Sequence, residues 1–349
     1  MLSRVRTATL AGLSARPIFV EVDLARGLPS FHLVGLPDGA VRESRDRIQA
    51  ALGNSGFVPP LRRTTVNLAP ADEPKSGTGF DLPIALAILA AADALPLPPE
   101  RSVAAVGELG LDGAVRPIRG VLPMARVVRA EGIEELLVPP ENGAEAALVD
   151  GLRAVPVPSL RAAVDHLSGL DPLSPARPPE EGRVELDEVN WREVRGQPTV
   201  RRALEIAAAG GHNALLIGPP GSGKTHLARR FPTILPPLSR PQALEVTAIH
   251  SAWGRLPPHR PLSLRPPFRS PHHTASTAAL FGGGTPPRPG EVSLAHRGVL
   301  FLDEFPEFRR DVLEGLRQPL EDGEVVIGRA LWRLRFPCRF QLLAAMNPC

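Results

Sequence analysis

The sequence predicts two folded domains of different class. Residues 1–168 read as an α+β domain, and residues 184–349 as an α/β domain built on a parallel sheet, with a proline-rich connector at residues 169–183. Three observations carry this. The first half alternates short strand patterns with helix patterns. In the second half, the apolar run Ala214-Leu215-Leu216-Ile217 enters Gly218-Pro219-Pro220-Gly221-Ser222-Gly223-Lys224-Thr225, which has P-loop spacing, and a helix-like segment from His226 to Phe231 leaves it. A second apolar run, Val299–Leu302, ends on Asp303 and Glu304. That is the edge at which open α/β sheets collect their ligands.

In the first domain, Pro17 to Leu24 and Ser30 to Leu36 alternate like strands. Asp38 is placed to cap a helix running through Leu52, with Gly53 and Asn54 as stop signals. Thr64 to Leu68 is a strand. The loop Pro74 to Asp81 leads into an apolar helix reaching Ala94. Strands are expected over Val103–Leu109 and Ile133–Val138. Helices are expected over Gly120–Glu131, Glu141–Val149 and Ser159–Leu167. The connector is rich in Pro and charge and reads as semi-extended.

In the second domain, Val194-Arg195-Gly196-Gln197 precedes a helix over Thr199–Ala209. The Ala214–Ile217 strand is expected to be buried. Pro232 to Pro289 is crowded with Pro, Arg and His, including Arg269-Ser270-Pro271-His272-His273-Thr274. His272 and His273 read as a partner-contacting loop, as packing or as a metal site, although adjacent histidines rarely share a metal. A helix over Phe308–Leu320, a hairpin with its tip near Gly328-Arg329, and a strand over Phe340–Met346 ending at Asn347 complete the domain.

Composition narrows the function classes. The chain has 349 residues, a net charge of +3 and 43% hydrophobic content. That suits two soluble globular domains, and it permits nucleic-acid binding without demanding it. The longest apolar run, Leu82–Ala92, is about half of the ~20 residues that a membrane span needs. Residues 1–13 carry no signal-peptide core, so no membrane partner and a cytoplasmic location are expected. The two cysteines, Cys338 and Cys349, make neither a disulfide framework nor a full metal site. Of 40 Lys plus Arg, only Lys75 and Lys224 are lysine. Arginine has replaced lysine almost everywhere except in the P-loop, where a compact ammonium fits a phosphate cradle and a planar guanidinium does not.

The candidate chemistry follows from these motifs. In the loop Gly218, Pro219, Pro220, Gly221, Ser222 and Gly223, backbone N–H groups can turn toward a phosphate chain, and the helix N-terminus adds partial positive charge. Lys224 can reach the β- and γ-phosphates, and the Thr225 hydroxyl can ligate Mg²⁺. Asp303 can hold Mg²⁺ through water, and Glu304 can polarise the attacking water. Asn347 can hydrogen-bond the γ-phosphate or that water. ATP and Mg²⁺ are the expected cofactors.

Gly107-Glu108-Leu109 through Arg116-Pro117-Ile118-Arg119-Gly120, Leu137-Val138-Pro139-Pro140-Glu141-Asn142 and the Pro74-Lys75-x-Gly77 segment resemble the proteolytic domain of the Lon family, whose fold is shared with ribosomal-protein-S5-like domains. That family uses a Ser–Lys dyad. The matching positions here are Gly79 and Leu122, which supply neither nucleophile nor base, so no peptide hydrolysis is expected.

Arg288-Pro289-Gly290-Glu291-Val292-Ser293-Leu294-Ala295-His296, the Asp303-Glu304 strand and Ala345-Met346-Asn347-Pro348-Cys349 closely resemble magnesium-chelatase-like AAA+ ATPases. Combined with the Lon-like half, the resemblance narrows to the YifB/ComM family. It implies a ring, expected to be hexameric, that acts on branched or single-stranded DNA as a branch-migration helicase in natural transformation. Arg329 and the Arg269–Thr274 loop are the expected DNA contacts. Family members continue past the sensor Asn through a helical lid and an arginine finger. The sequence stops at Cys349, so a truncated chain without its lid, slow in turnover, is expected. The competing readings are a magnesium-chelatase motor subunit, against which the Lon-like half argues, and a non-catalytic regulatory protein.

Overall fold

The computed structural model describes residues 2–96, 103–179, 189–254, 256–257, 261–284, 288–329 and 332–348. It is a mixed α/β structure that divides into two compact units. The first comprises residues 1–180, with residues 254–261 grouped alongside, and the second comprises residues 181–253 and 262–349. No helix among the described residues is long and apolar enough to cross a membrane.

The first unit opens with β1 (Leu2–Ala11), β2 (Ser14–Ala25) and β3 (Ser30–Val34). Asp38 accepts the Val41 N–H at 2.9 Å and caps α1 (Gly39–Arg42), but the helix breaks at Glu43 and restarts as α2 (Ser44–Asn54). β4 (Arg63–Ala69) leads through the loop around Lys75 to α3 (Asp81–Ala91). Nearly every side chain of α3 is buried. A helix that is apolar all round belongs in a core.

The strand expected over 103–109 is split. β5 (Val103–Ala105) stays in the main sheet, whereas β6 (Glu108–Leu109) turns away at Gly107 (φ 158°) to pair with β7 (Val115–Arg116). There follow α4 (Val121–Ala130), β8 (Glu135–Val138), the short α5 (Gly143–Ala146), β9 (Arg153–Pro156) and α6 (Leu160–Leu167), which Ser159 caps. The seven strands lie in the order β3-β4-β2-β1-β5-β8-β9, antiparallel about β2 and parallel from β1 to β9. The connector is not free over its whole length: Ala176 N–H donates to Ala154 O of the edge strand β9 at 2.7 Å. Its residues 180–183 lie outside the described residues.

The second unit runs α7 (Pro198–Gly210), β10 (Ala214–Ile217), α8 (Lys224–Arg230), α9 (Arg240–Trp253), β11 (Phe268–Arg269), α10 (Thr277–Phe281), β12 (Gly282–Gly283), β13 (Arg288–Pro289) and α11 (Glu291–Leu294). It continues with β14 (Val299–Leu302), α12 (Arg310–Gly315), α13 (Arg317–Asp322), β15 (Glu324–Arg329), β16 (Trp332–Pro337) and β17 (Gln341–Met346). Four strands form a wholly parallel sheet in the order β10-β17-β14-β11. β14, next to the middle of this sheet, is buried along its length.

β10 departs from expectation. It is an edge strand, and Leu215 and Ile217 are 50% and 62% exposed, while Leu216 packs into the core. The hairpin β15–β16 forms as expected, with Arg329 paired to Trp332; the Arg329 side chain lies outside the described residues, as does Cys349.

Candidate functional site

Parallel strands deliver their C-terminal ends to one edge of the second unit's sheet. β10 ends in the P-loop, β14 in Asp303-Glu304 and β17 in Asn347. The loop folds as the glycines require. Gly221 and Gly223 take left-handed φ of 77° and 88°, which β-carbon-bearing residues avoid. The loop is anchored from two sides. Gly218 N–H donates to Met346 O of β17 at 3.3 Å, and the Gln197 side-chain amide donates to Ser222 O at 2.6 Å.

Lys224 reaches back over the loop it follows. Its ammonium donates to Gly218 O at 2.7 Å, to Pro219 O at 3.0 Å and to Asn347 Oδ1 at 3.0 Å. The three carbonyl oxygens match the three donors of a lysine. Thr225 Oγ1 donates to Asp303 Oδ2 at 2.7 Å. A hydroxyl and a carboxylate this close suit a Mg²⁺ ion that takes one or two protein oxygens and draws the rest from phosphate and water. Lys224, Thr225, Asp303 and Asn347 are therefore one connected cluster.

Glu304 is placed differently. Its backbone is left-handed (φ 51°), and its Oε2 lies 3.0 Å from His273 Nδ1 on the segment after β11. Nothing in the sequence pairs these two residues, which lie far apart along the chain. Gln197 was also not legible as a loop support, since only the helix after it carries a pattern.

The neighbouring motif at Arg288–His296 turns out to brace the site. Glu291 takes both arms of Arg269, at 2.5 and 2.8 Å. Arg269, one of the residues expected to face DNA, thus has its guanidinium engaged in a half-buried pair. His296 is buried and accepts Arg339 N–H at 3.1 Å, and burial pushes its imidazole below the ordinary value. Cys338 is fully buried, which pushes its thiol up to about 12 and keeps it protonated. Among the described residues no group of three or more His, Cys, Asp or Glu is placed to hold a metal by side chains alone.

Among its described residues the first unit presents no comparable convergence at the positions that match the protease dyad. Leu122 is fully buried and its N–H donates to Glu145 at 2.8 Å. A β-carbon on Gly79 would meet Ile118 at 3.0 Å. Lys75 is 0% exposed and its ammonium is bound to Pro70 O.

Comparison with known proteins adds the family. A model described as "Magnesium chelatase, subunit ChlI" matches residues 190–349, and one described as "Subunit ChlI of Mg-chelatase" matches residues 20–142. The competence protein ComM of Haemophilus influenzae is 46% identical over 352 residues, covering 99% of this chain and 69% of that protein. The uncharacterised protein YifB of Escherichia coli is 45% identical over 347 residues, covering 99% and 68%. Lon protease 2 of Bacillus subtilis is 26% identical over 166 residues, covering 43% and 29%.

Proposed function

This chain belongs to the magnesium-chelatase-like family that includes YifB and ComM, and from that premise we propose that it is an ATP-hydrolysing subunit of an AAA+-type motor acting on DNA. The observation that carries the reading is the single cluster of Lys224, Thr225, Asp303 and Asn347 at the C-terminal edge of the parallel sheet. Bound ATP with Mg²⁺ would supply a γ-phosphoryl group open to attack by water. The backbone of Gly218–Gly223 holds the phosphates, and Lys224 exchanges its loop carbonyls for phosphate oxygens. Thr225 and Asp303 would hold the metal. Glu304 accepts the proton of the water, and Asn347 orients that water or the γ-phosphate.

In this reading the first unit is a Lon-like, S5-type domain without peptidase activity, used for recognition or assembly. Residues 169–183 connect it to the motor domain, which begins near residue 184. Subunits join in a ring, expected to be a hexamer, on branched or single-stranded DNA. The competence name of one relative supports DNA as the cargo.

The test is ATPase activity of the chain with and without branched DNA, beside Glu304→Gln. Hydrolysis stimulated by DNA and reduced about 10²–10⁴-fold in the variant, with nucleotide still bound, is expected. Rates indifferent to DNA would remove the DNA motor. A chelatase motor is the second reading, because the family models that match both halves carry chelatase descriptions. The Lon-like half therefore does not exclude it. ATP-dependent insertion of Mg²⁺ into a porphyrin, with DNA having no effect, would establish it instead.

A further inference from the structure

We propose that the outer edge of β3, in the first unit, is a docking site for a partner protein, which it takes up as an added strand. The occupant is an extended peptide with aliphatic side chains at alternate positions and acidic residues at one end.

β3 is the outermost strand on its side of the seven-stranded sheet, so one row of its backbone N–H and C=O groups has no strand beside it among the described residues. Such an edge is ordinarily blunted by charged side chains, by proline or by a bulge. Ser30-Phe31-His32-Leu33-Val34 contains no Lys, Arg, Asp, Glu or Pro. Its register with β4 runs unbroken from Ser30↔Arg63 to Val34↔Asn67, so no bulge turns it away. Phe31 and Leu33 pack against the core and hold the strand in place, while His32 and Val34 alternate with them and are exposed. Leu36, just beyond the strand, is 56% exposed although its carbonyl is held by Lys75 N–H at 3.1 Å. An added strand would complete the hydrogen-bonding row and lay alternate side chains beside Val34 and Leu36.

Charge selects the occupant. β2 ends at Ala25 and β3 begins at Ser30, both opposite Arg63, so residues 26–29 cross the start of β4. Arg26, Arg62 and Arg63 are thereby gathered at the N-terminal end of β3. All three are exposed, and none forms an ion pair among the described residues. Leu28 and Leu61 stand at the same end, 88% and 80% exposed. Unpaired guanidiniums beside aliphatic side chains call for a chain that is acidic and apolar together. A nucleic acid would satisfy the cations and leave the strand edge open. A second copy would complete the edge but bring no free carboxylate to the arginines. Its β3 has none, and Asp38, past the strand's other end, already accepts Val41 N–H and Gly77 N–H at 2.9 and 3.2 Å.

The test uses the whole chain and a fluorescein-labelled synthetic peptide, a run of aspartates followed by alternating valine and threonine. The peptide should bind, and amide hydrogen exchange over residues 30–34 should slow when it does. Arg26→Glu/Arg62→Glu, at two exposed positions outside the strands, should weaken binding at least about tenfold, because two exposed attractions become repulsions. A peptide with arginines in place of the aspartates should bind that variant more tightly than it binds the parent, a gain that a damaged fold would not produce. Val34→Lys, which puts a charge on the edge, should also weaken the aspartate peptide about tenfold. Equal affinity of the aspartate peptide for parent and arginine variant overturns the proposal, as does exchange over residues 30–34 that the peptide leaves unchanged. Slower exchange there with single-stranded DNA but not with the peptide would make the patch a nucleic-acid contact instead. Self-association of the parent that Val34→Lys abolishes would make the edge an interface between copies, and either result overturns the proposal.

Discussion

Lys75 and Lys224, the two lysines in a chain that otherwise uses arginine, lie in different units and are used in opposite ways. Lys75 is fully enclosed, its ammonium is bound to Pro70 O, and its backbone bridges to Leu36 and Asp38. Burial pushes it below the ordinary lysine value. Lys224 opens α8 at the C-terminal edge of the parallel sheet, bound to carbonyls that a phosphate could replace. In both places the site suits a slim ammonium better than a planar guanidinium. The first charge is consumed by folding, and the second is held ready by loop groups that cost little to exchange. The contrast extends to the units. In the first, the positions matching a protease dyad are filled by Gly79 and the buried Leu122. In the second, polar groups from three strands meet at one edge.

The largest expected break in this comparison is Lys224→Ala. Losing a charged group that makes several hydrogen bonds to phosphate should weaken binding of a fluorescent ATP analogue about 100-fold or more. Thermal stability should stay within about 0.5 kcal/mol, as for a surface substitution. Lys75→Ala should do the reverse. A cavity plus an orphaned Pro70 carbonyl should cost the first unit about 3 kcal/mol in chemical denaturation, with nucleotide affinity unchanged. A Lys75→Ala variant of parental stability would mean that the enclosed lysine is not a folding element.

A smaller effect separates the units by pH. Asp81 is buried at the start of α3, takes both arms of Arg47 at 2.7 and 3.1 Å, and accepts Leu109 N–H at 3.2 Å. Burial pushes its carboxyl from 3.8 up to about 6, against the downward pull of Arg47 and of the Leu109 N–H. The folded state therefore holds this proton more tightly than the unfolded chain. The resulting stability is complete below pH 3.8 and is lost as pH rises through about 6. Across that window the parent should lose roughly 2–3 kcal/mol relative to Asp81→Asn, which does not titrate. Parallel curves for the two proteins would show that the Arg47 pair outweighs burial.

The site was more legible in the sequence than the fold around it, for physical reasons. The P-loop is local, so Gly218–Thr225 could be read directly, and strand-ending polar residues marked Asp303 and Asn347. The contact between His273 and Glu304 depends on which strands become neighbours, and no local pattern carries that. β1 escaped because Thr7 and Thr9 are buried in it, which hides the apolar alternation. α9 escaped because it begins Arg240-Pro241 within a proline-rich stretch, although proline is tolerated in a first helical turn.

β10 shows the same limit from the other side. Four successive apolar residues read alike whether one face of a strand is covered or two. Here Ala214 and Leu216 pack against the core while Leu215 and Ile217 stand out. The double variant Leu215→Thr/Ile217→Thr puts β-branched side chains at both positions and gives up little burial. It should change the stability of the chain by less than about 0.5 kcal/mol. Leu216→Ala should cost about 2–4 kcal/mol through lost packing alone. If instead the threonine pair weakens the chain as much as Leu216→Ala does, those two side chains are covered in solution, and the edge of the sheet that carries the P-loop is a contact surface rather than a free one.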